Sequence, residues 1–114
     1  EVALTNAGIC ALARNDRVQA EVKLRRALQQ NPIYAVALME MAKLSYDNGE
    51  YLSSRAYLQR YLNVASHTPA TLWLGIRTET RLGDRDAVAS YSLMLRNQFP
   101  DSQEVQFLRD WDVR

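Results

Sequence analysis

Only a handful of side chains in this 114-residue chain could do covalent or metal chemistry, and their spacing argues against it. His67 is the single histidine, in the stretch Ser66-His67-Thr68-Pro69, with no cysteine or second histidine near it to complete a metal site or a nucleophile–base pair. Cys10 is the single cysteine, so no intramolecular disulfide can form. Its surroundings, Ala7-Gly8-Ile9-Cys10, lack the basic and apolar regions that precede a lipoprotein cleavage site, and helical spacing predicts a small hydrophobe buried in a helix. The carboxylates Asp16, Glu50 and Asp84 fall where turns are expected and suit capping or solvation. With no Ser/His/Asp set and no glycine-rich phosphate loop, the chain is expected to have no catalytic residues, no bound metal and no cofactor. What remains is recognition chemistry. Met39, Tyr46 and Trp73 offer adaptable apolar and aromatic area, and Lys43, Arg77 and Arg81 offer donors to carboxylates or carbonyls of a partner.

The elements that must position these residues repeat every 34 residues. Asn15-Asp16-Arg17, Gly49-Glu50-Tyr51 and Gly83-Asp84-Arg85 stand at one phase of three successive repeats, and Pro32 and Pro100 are two periods apart. A period of this length marks an array of helical hairpins. The first repeat matches the tetratricopeptide (TPR) pattern directly: Leu4 at a large apolar position, Gly8, Ala20 and Ala27 at the small ones, and Pro32 at its end. The expected fold is all-α, a TPR superhelix of three helix-turn-helix hairpins and a C-terminal capping helix. The repeats span about 1–33, 34–67 and 68–100, and the cap about 101–114, in a single array.

Within repeat 1, helices are expected over Val2 to Arg14 and Val18 to Gln30, with Gly8 and Ala20 facing each other where a larger side chain would force the helices apart. Repeat 2 is expected over Tyr34 to Asn48 and Leu52 to Ala65, joined by a left-handed turn at Asn48-Gly49. Tyr46, Tyr51, Tyr57 and Tyr61 serve chiefly as packing residues between helices. Thr68 and Pro69 supply an N-cap and first residue for the helix running to Leu82, and the last hairpin helix covers Arg85 to Gln98. Asp101, three residues before Glu104, suggests a capping box, and Val105, Leu108 and Trp111 give the last helix one apolar side that would cover the flank of repeat 3. The start of the chain inside a repeat is expected of a piece of a longer array.

In such an array the first helices of successive hairpins line an inner groove. Taken by position, that groove holds Val2, Thr5, Asn6 and Ile9, then Val36, Met39, Glu40, Lys43 and Tyr46, then Trp73, Leu74, Arg77, Thr80 and Arg81. Some of these would merely cover the next helix. The lysine, asparagine and arginine that clamp an acidic chaperone C-terminus in TPR co-chaperones are replaced by Thr5, Ile9 and Glu40, so that use is not expected. Fourteen basic against thirteen acidic residues, a net charge of +1, argue against nucleic acid as a partner. No stretch approaches the roughly 18 consecutive apolar residues of a membrane span.

Four stretches go beyond the generic repeat: ALMEMAKLSYDNGEY at 37–51, LGIR at 74–77, GDRDAVASY at 83–91 and FPDSQEVQ at 99–106. In order and spacing the chain resembles the C-terminal half of the type IV pilus biogenesis/stability TPR lipoproteins, the PilF/PilW type of secretin pilotin. That resemblance implies a protein-binding scaffold without enzymatic activity, on the periplasmic side of a Gram-negative outer membrane. Its partners would be secretin subunits, helped to reach the membrane and form their ring. Membrane association would come only through an N-terminal lipid anchor outside this sequence. The alternative from another class is a cytosolic regulatory or co-chaperone TPR module that takes a peptide in its groove.

Overall fold

A computed structural model describes residues 1–112, so the last two residues of the expected capping helix lie outside the described residues. The described residues form seven helices and no strand, the helical hairpins of a TPR fold: α1 (Val2–Ala13), α2 (Arg17–Gln30), α3 (Ala35–Asp47), α4 (Tyr51–Leu62), α5 (Pro69–Leu82), α6 (Arg85–Gln98) and α7 (Gln103–Asp112). They group into two compact units, Glu1–Ala65 and Ser66–Arg114. In the first, α1 pairs with α2 and α3 with α4, while α3 also touches α2 and α1. In the second, α5 pairs with α6, and α7 lies against both.

The turn phase of the repeat is a backbone requirement. Asn15, Gly49 and Gly83, one period apart, are the positive-φ residues among those described, at 61°, 78° and 78°. Each ends a first helix in the left-handed region, which glycine enters freely and asparagine at modest cost. The next residue of each turn precedes a second helix, but only two of the three cap it. Asp16 accepts from the Gln19 N–H at 3.1 Å and Asp84 from the Ala87 N–H at 3.0 Å, whereas the longer Glu50 makes no cap bond. Thr68 and Thr71 form a reciprocal capping box at the start of α5, with Pro69 as the first helical residue.

Small residues set the approach of the hairpin helices. A Cβ added to Gly8 would lie 2.8 Å from Leu24 Cγ and 3.4 Å from the Ala20 carbonyl oxygen. One period on, the same contact is polar: buried Ser54 donates its hydroxyl to the Ala42 carbonyl at 2.9 Å. The core of the first unit gathers Leu24, Leu28, Leu38, Met41 and Leu44, with Tyr57 and Tyr61 packed on its edge. The second unit's core is Leu72, Ile76, Leu95, Val105 and Leu108, so the apolar side expected of the last helix does face inward. Burying a side chain of this size contributes about 1.5–3 kcal/mol.

Several expectations are corrected. Cys10 is exposed, not buried. Leu44, one period later, sits at 1% exposure because α3 is flanked by α1, α2 and α4, while α1 meets only α2 and α3 among the described residues. Leu74, assigned by position to the groove, is 1% exposed and offers no open surface there. Helix α7 starts at Gln103, which leaves Asp101 in the turn, where Ser102 donates its hydroxyl to the Phe99 carbonyl at 2.8 Å. Helix α4 ends at Leu62, three residues earlier than expected.

Candidate functional site

Among the described residues, no group of three or more His, Cys, Asp or Glu side chains could hold a metal ion, and no helix is long and apolar enough to cross a membrane. His67 is half-buried. Its Nδ1 lies 2.9 Å from the Thr71 hydroxyl, and its ring meets Tyr91 edge-on at 5.4 Å. Burial pushes its pKa below the usual 6.5, because removing water disfavours the imidazolium. These contacts tie the start of α5 to α6 and leave the ring a packing role.

Each compact unit carries its own cleft between two first helices of successive repeats. In the first unit a cleft of about 400 Å³ lies between α1 and α3, with Ile9, Leu12 and Leu44 as its apolar surface and Glu40, Lys43 and Asp47 around it. Lys43 Nζ donates to Glu40 Oε1 at 3.0 Å one turn away on the same helix, so its charge is partly satisfied before any ligand arrives. Arg17, from the first turn of α2, reaches the Asp47 carbonyl and Asn48 Oδ1 at 3.4 Å and closes one end. Of the other two α3 residues assigned to the groove, Met39 is half-buried and does not line this cleft. Tyr46 turns toward the hairpin, its ring edge-on to Tyr51 at 5.3 Å.

In the second unit a cleft of about 290 Å³ lies between α5 and α7, lined by Trp73, Arg77, Phe107, Asp110 and Trp111. Trp73 meets Trp111 at 5.5 Å and 87°, and Phe107 at 5.9 Å and 47°. The Arg77 guanidinium stands over the Trp73 ring at 5.4 Å, and its Nε donates to the Trp73 carbonyl at 3.4 Å. Aromatic pairs of this geometry add about 0.5–1.5 kcal/mol beyond the area they bury. Trp73 therefore does two jobs: it fastens α7 to α5 and presents a wall to the cleft. Arg81, one turn beyond Arg77, is exposed and outside the cleft lining.

The positional reading missed Phe107 and Asp110 here, and Arg17 and Asp47 in the first unit. A signal for Phe107 was present. It stands one period after Trp73, which stands one period after Met39; likewise Trp111 follows Arg77, Lys43 and Ile9 at the same phase. Reading the last helix only as a cap left out that its residues also line the α5–α7 cleft.

No protein-family model matches the chain. A type IV pilus assembly protein, PilF of Pseudomonas aeruginosa, is 33% identical over 101 residues, which is 89% of this chain and 40% of that protein. A crystal structure of PilW, described as a widely conserved type IV pilus biogenesis factor, superposes with a TM-score of 0.84 at 29% identity. It matches 94% of this chain and 49% of its own. The structure of Pseudomonas aeruginosa PilF gives 0.85 at 31% identity, over 94% and 48%. The chain thus spans 40% of the curated relative and about half of each solved chain. Helix order, repeat turns and these likenesses agree: over most of its length the chain is a homologue of PilF with the TPR fold of the type IV pilus biogenesis proteins PilF and PilW.

Proposed function

We propose that this chain is a protein-binding scaffold of type IV pilus biogenesis that assists secretin subunits in reaching the outer membrane and assembling into their ring. The observation that carries the proposal is the placement of aromatic and charged side chains in clefts between first helices, on a chain homologous to PilF. A rigid helical hairpin holds such side chains in place before the partner arrives, so little affinity is lost to ordering the binder. Of the six residues expected to bind a partner, the clefts hold Lys43 in the first unit and Trp73 and Arg77 in the second, and these are the ones assigned to binding; Met39, Tyr46 and Arg81 lie outside the cleft linings. The same reading puts the protein on the periplasmic side of the outer membrane, held by a lipid anchor, with no reaction to catalyse.

The test passes purified secretin subunit over the immobilised chain and over a Lys43→Ala/Arg77→Ala double variant. Saturable retention, weakened about tenfold or more by the double change, is the expected result, since two well-placed polar contacts supply at least about 1.4 kcal/mol. No retention by the unmodified chain would overturn the secretin reading. Cell fractionation that left the protein in the cytosol would overturn the envelope placement.

A further inference from the structure

We infer that the α5–α7 cleft is a recognition site for a proline-rich, extended segment of a protein partner, with a basic residue flanking the prolines. The inference rests on the protein-binding reading above and names the chemistry its second-unit cleft would select.

Size argues against the commonest alternative within this cleft. A docked amphipathic helix needs a long groove for anchors at i, i+3 or i+4, and i+7, whereas this cleft encloses about 290 Å³, enough for a few rings. The walls are two tryptophans near right angles and a tilted phenylalanine, which is 42% exposed. Flat aromatic faces at a notch are the surfaces on which proline rings stack in polyproline recognition.

Charge narrows the occupant further. Arg77 is held over Trp73, so a cationic group entering at that ring would meet a like charge, while Asp110 across the cleft opposes an anionic one. A polyproline II segment is neutral along its length. It has no internal hydrogen bonds, so its carbonyls need donors, and its prolines bring no N–H that would need an acceptor. Arg77 carries guanidinium donors, already fixed in direction by the ring beneath and by the Trp73 carbonyl. Asp110, exposed at the other side, complements a lysine or arginine beside the prolines.

The chain's two tryptophans, Trp73 and Trp111, both line this cleft; Trp111 also borders a neighbouring cleft with Val88 and Leu93, so an emission change is assigned to the α5–α7 cleft by its weakening in the Phe107 and Asp110 variants. The experiment titrates the 114-residue chain with three synthetic ten-residue peptides: one with four prolines in a P-x-x-P arrangement and a flanking arginine, the same peptide with alanine for proline, and an amphipathic helical peptide of equal charge. The proline peptide should shift the emission saturably. The alanine version should bind about tenfold or more weakly, and Phe107→Ala and Asp110→Asn should each weaken the proline peptide about fivefold, the scale of a central contact. Far-UV circular dichroism checks that both variants fold, and Asp110→Asn keeps the test open if Phe107→Ala does not. Equal binding of the alanine peptide, stronger binding of the helical one, or no emission change would overturn the inference. Secretin retention without proline-peptide binding would sink this inference alone; the reverse would sink the secretin reading and leave the cleft's chemistry standing.

Discussion

Gly8 lies directly beneath Leu24: a Cβ on the glycine would approach Leu24 Cγ to 2.8 Å and Cδ2 to 3.0 Å, inside normal contact. The atom in the way is the branch point of a fully buried side chain, so relief requires moving the side chain or the helix. Overpacking of this kind costs about 1–3 kcal/mol, against which alanine's better helix propensity returns about 1 kcal/mol. Gly8→Ala should therefore lower stability by about 1 kcal/mol. In a Leu24→Ala background, itself costing about 2–5 kcal/mol, the same change should be neutral or stabilising. Denaturant unfolding of the wild type and the three variants measures this, and additive losses would show that the contact is not the cause.

Asp16 and Asp84 cap α2 and α6, and Glu50 at the same phase does not cap α4. Shortening that side chain should supply the missing acceptor for the first turn. Glu50→Asp is expected to raise stability by up to about 1 kcal/mol, while Asp16→Ala and Asp84→Ala each lower it by about 1 kcal/mol. Thermal melts of the three variants check the signs.

His67 gives the second unit a dependence on mild acid. Its folded-state pKa lies below the unfolded value near 6.5 because burial disfavours the charged ring. As pH falls through about 6.5 the unfolded chain gains a proton that the folded chain does not, and stability declines. The decline stops growing once pH passes below the lowered folded-state value, where both states are protonated. Against His67→Gln, which cannot titrate, the wild type should lose Tm progressively between pH 7.5 and 5. Parallel curves for the two proteins would remove His67 from the account.

Because Trp73 packs on Phe107 and Trp111, replacing it is a structural change and not a clean probe of binding. Trp73→Ala should lower Tm by several degrees, and Leu108→Ala, which empties a position at 1% exposure, should cost about 2–5 kcal/mol. Arg109→Ala, on an exposed position of the same helix, should stay within about 0.5 kcal/mol. Calorimetric melts of the three variants rank these effects. A Trp73→Ala protein as stable as wild type would mean that the aromatic contacts hold nothing in place.

The repeat itself was legible from residue order. A left-handed position at Asn15, Gly49 and Gly83, a proline after Asn31, and small residues at Gly8 and Ala20 are local or pairwise demands, and a 34-residue period states them more than once. The turn at Asn48-Gly49 and the cap at Thr68-Pro69 could be placed for the same reason: backbone chemistry there depends on neighbours in sequence. The likeness to the pilus TPR proteins was legible too, because it lies in the order and spacing of short stretches. Tertiary structure decided what faces what. Cys10 and Leu44 share a phase, yet one is exposed and the other buried, because the number of helices around α1 and α3 differs. Leu74 shared the groove's numbering with Trp73 but is buried where Trp73 lines a cleft, since one residue's offset turns a side chain by about 100° on a helix of 3.6 residues per turn. The pairing of Trp73 and Arg77 with Phe107 and Trp111 joins residues about thirty positions apart. Only the packing of α7 against α5 brings them into one cleft, and no local propensity encodes that contact.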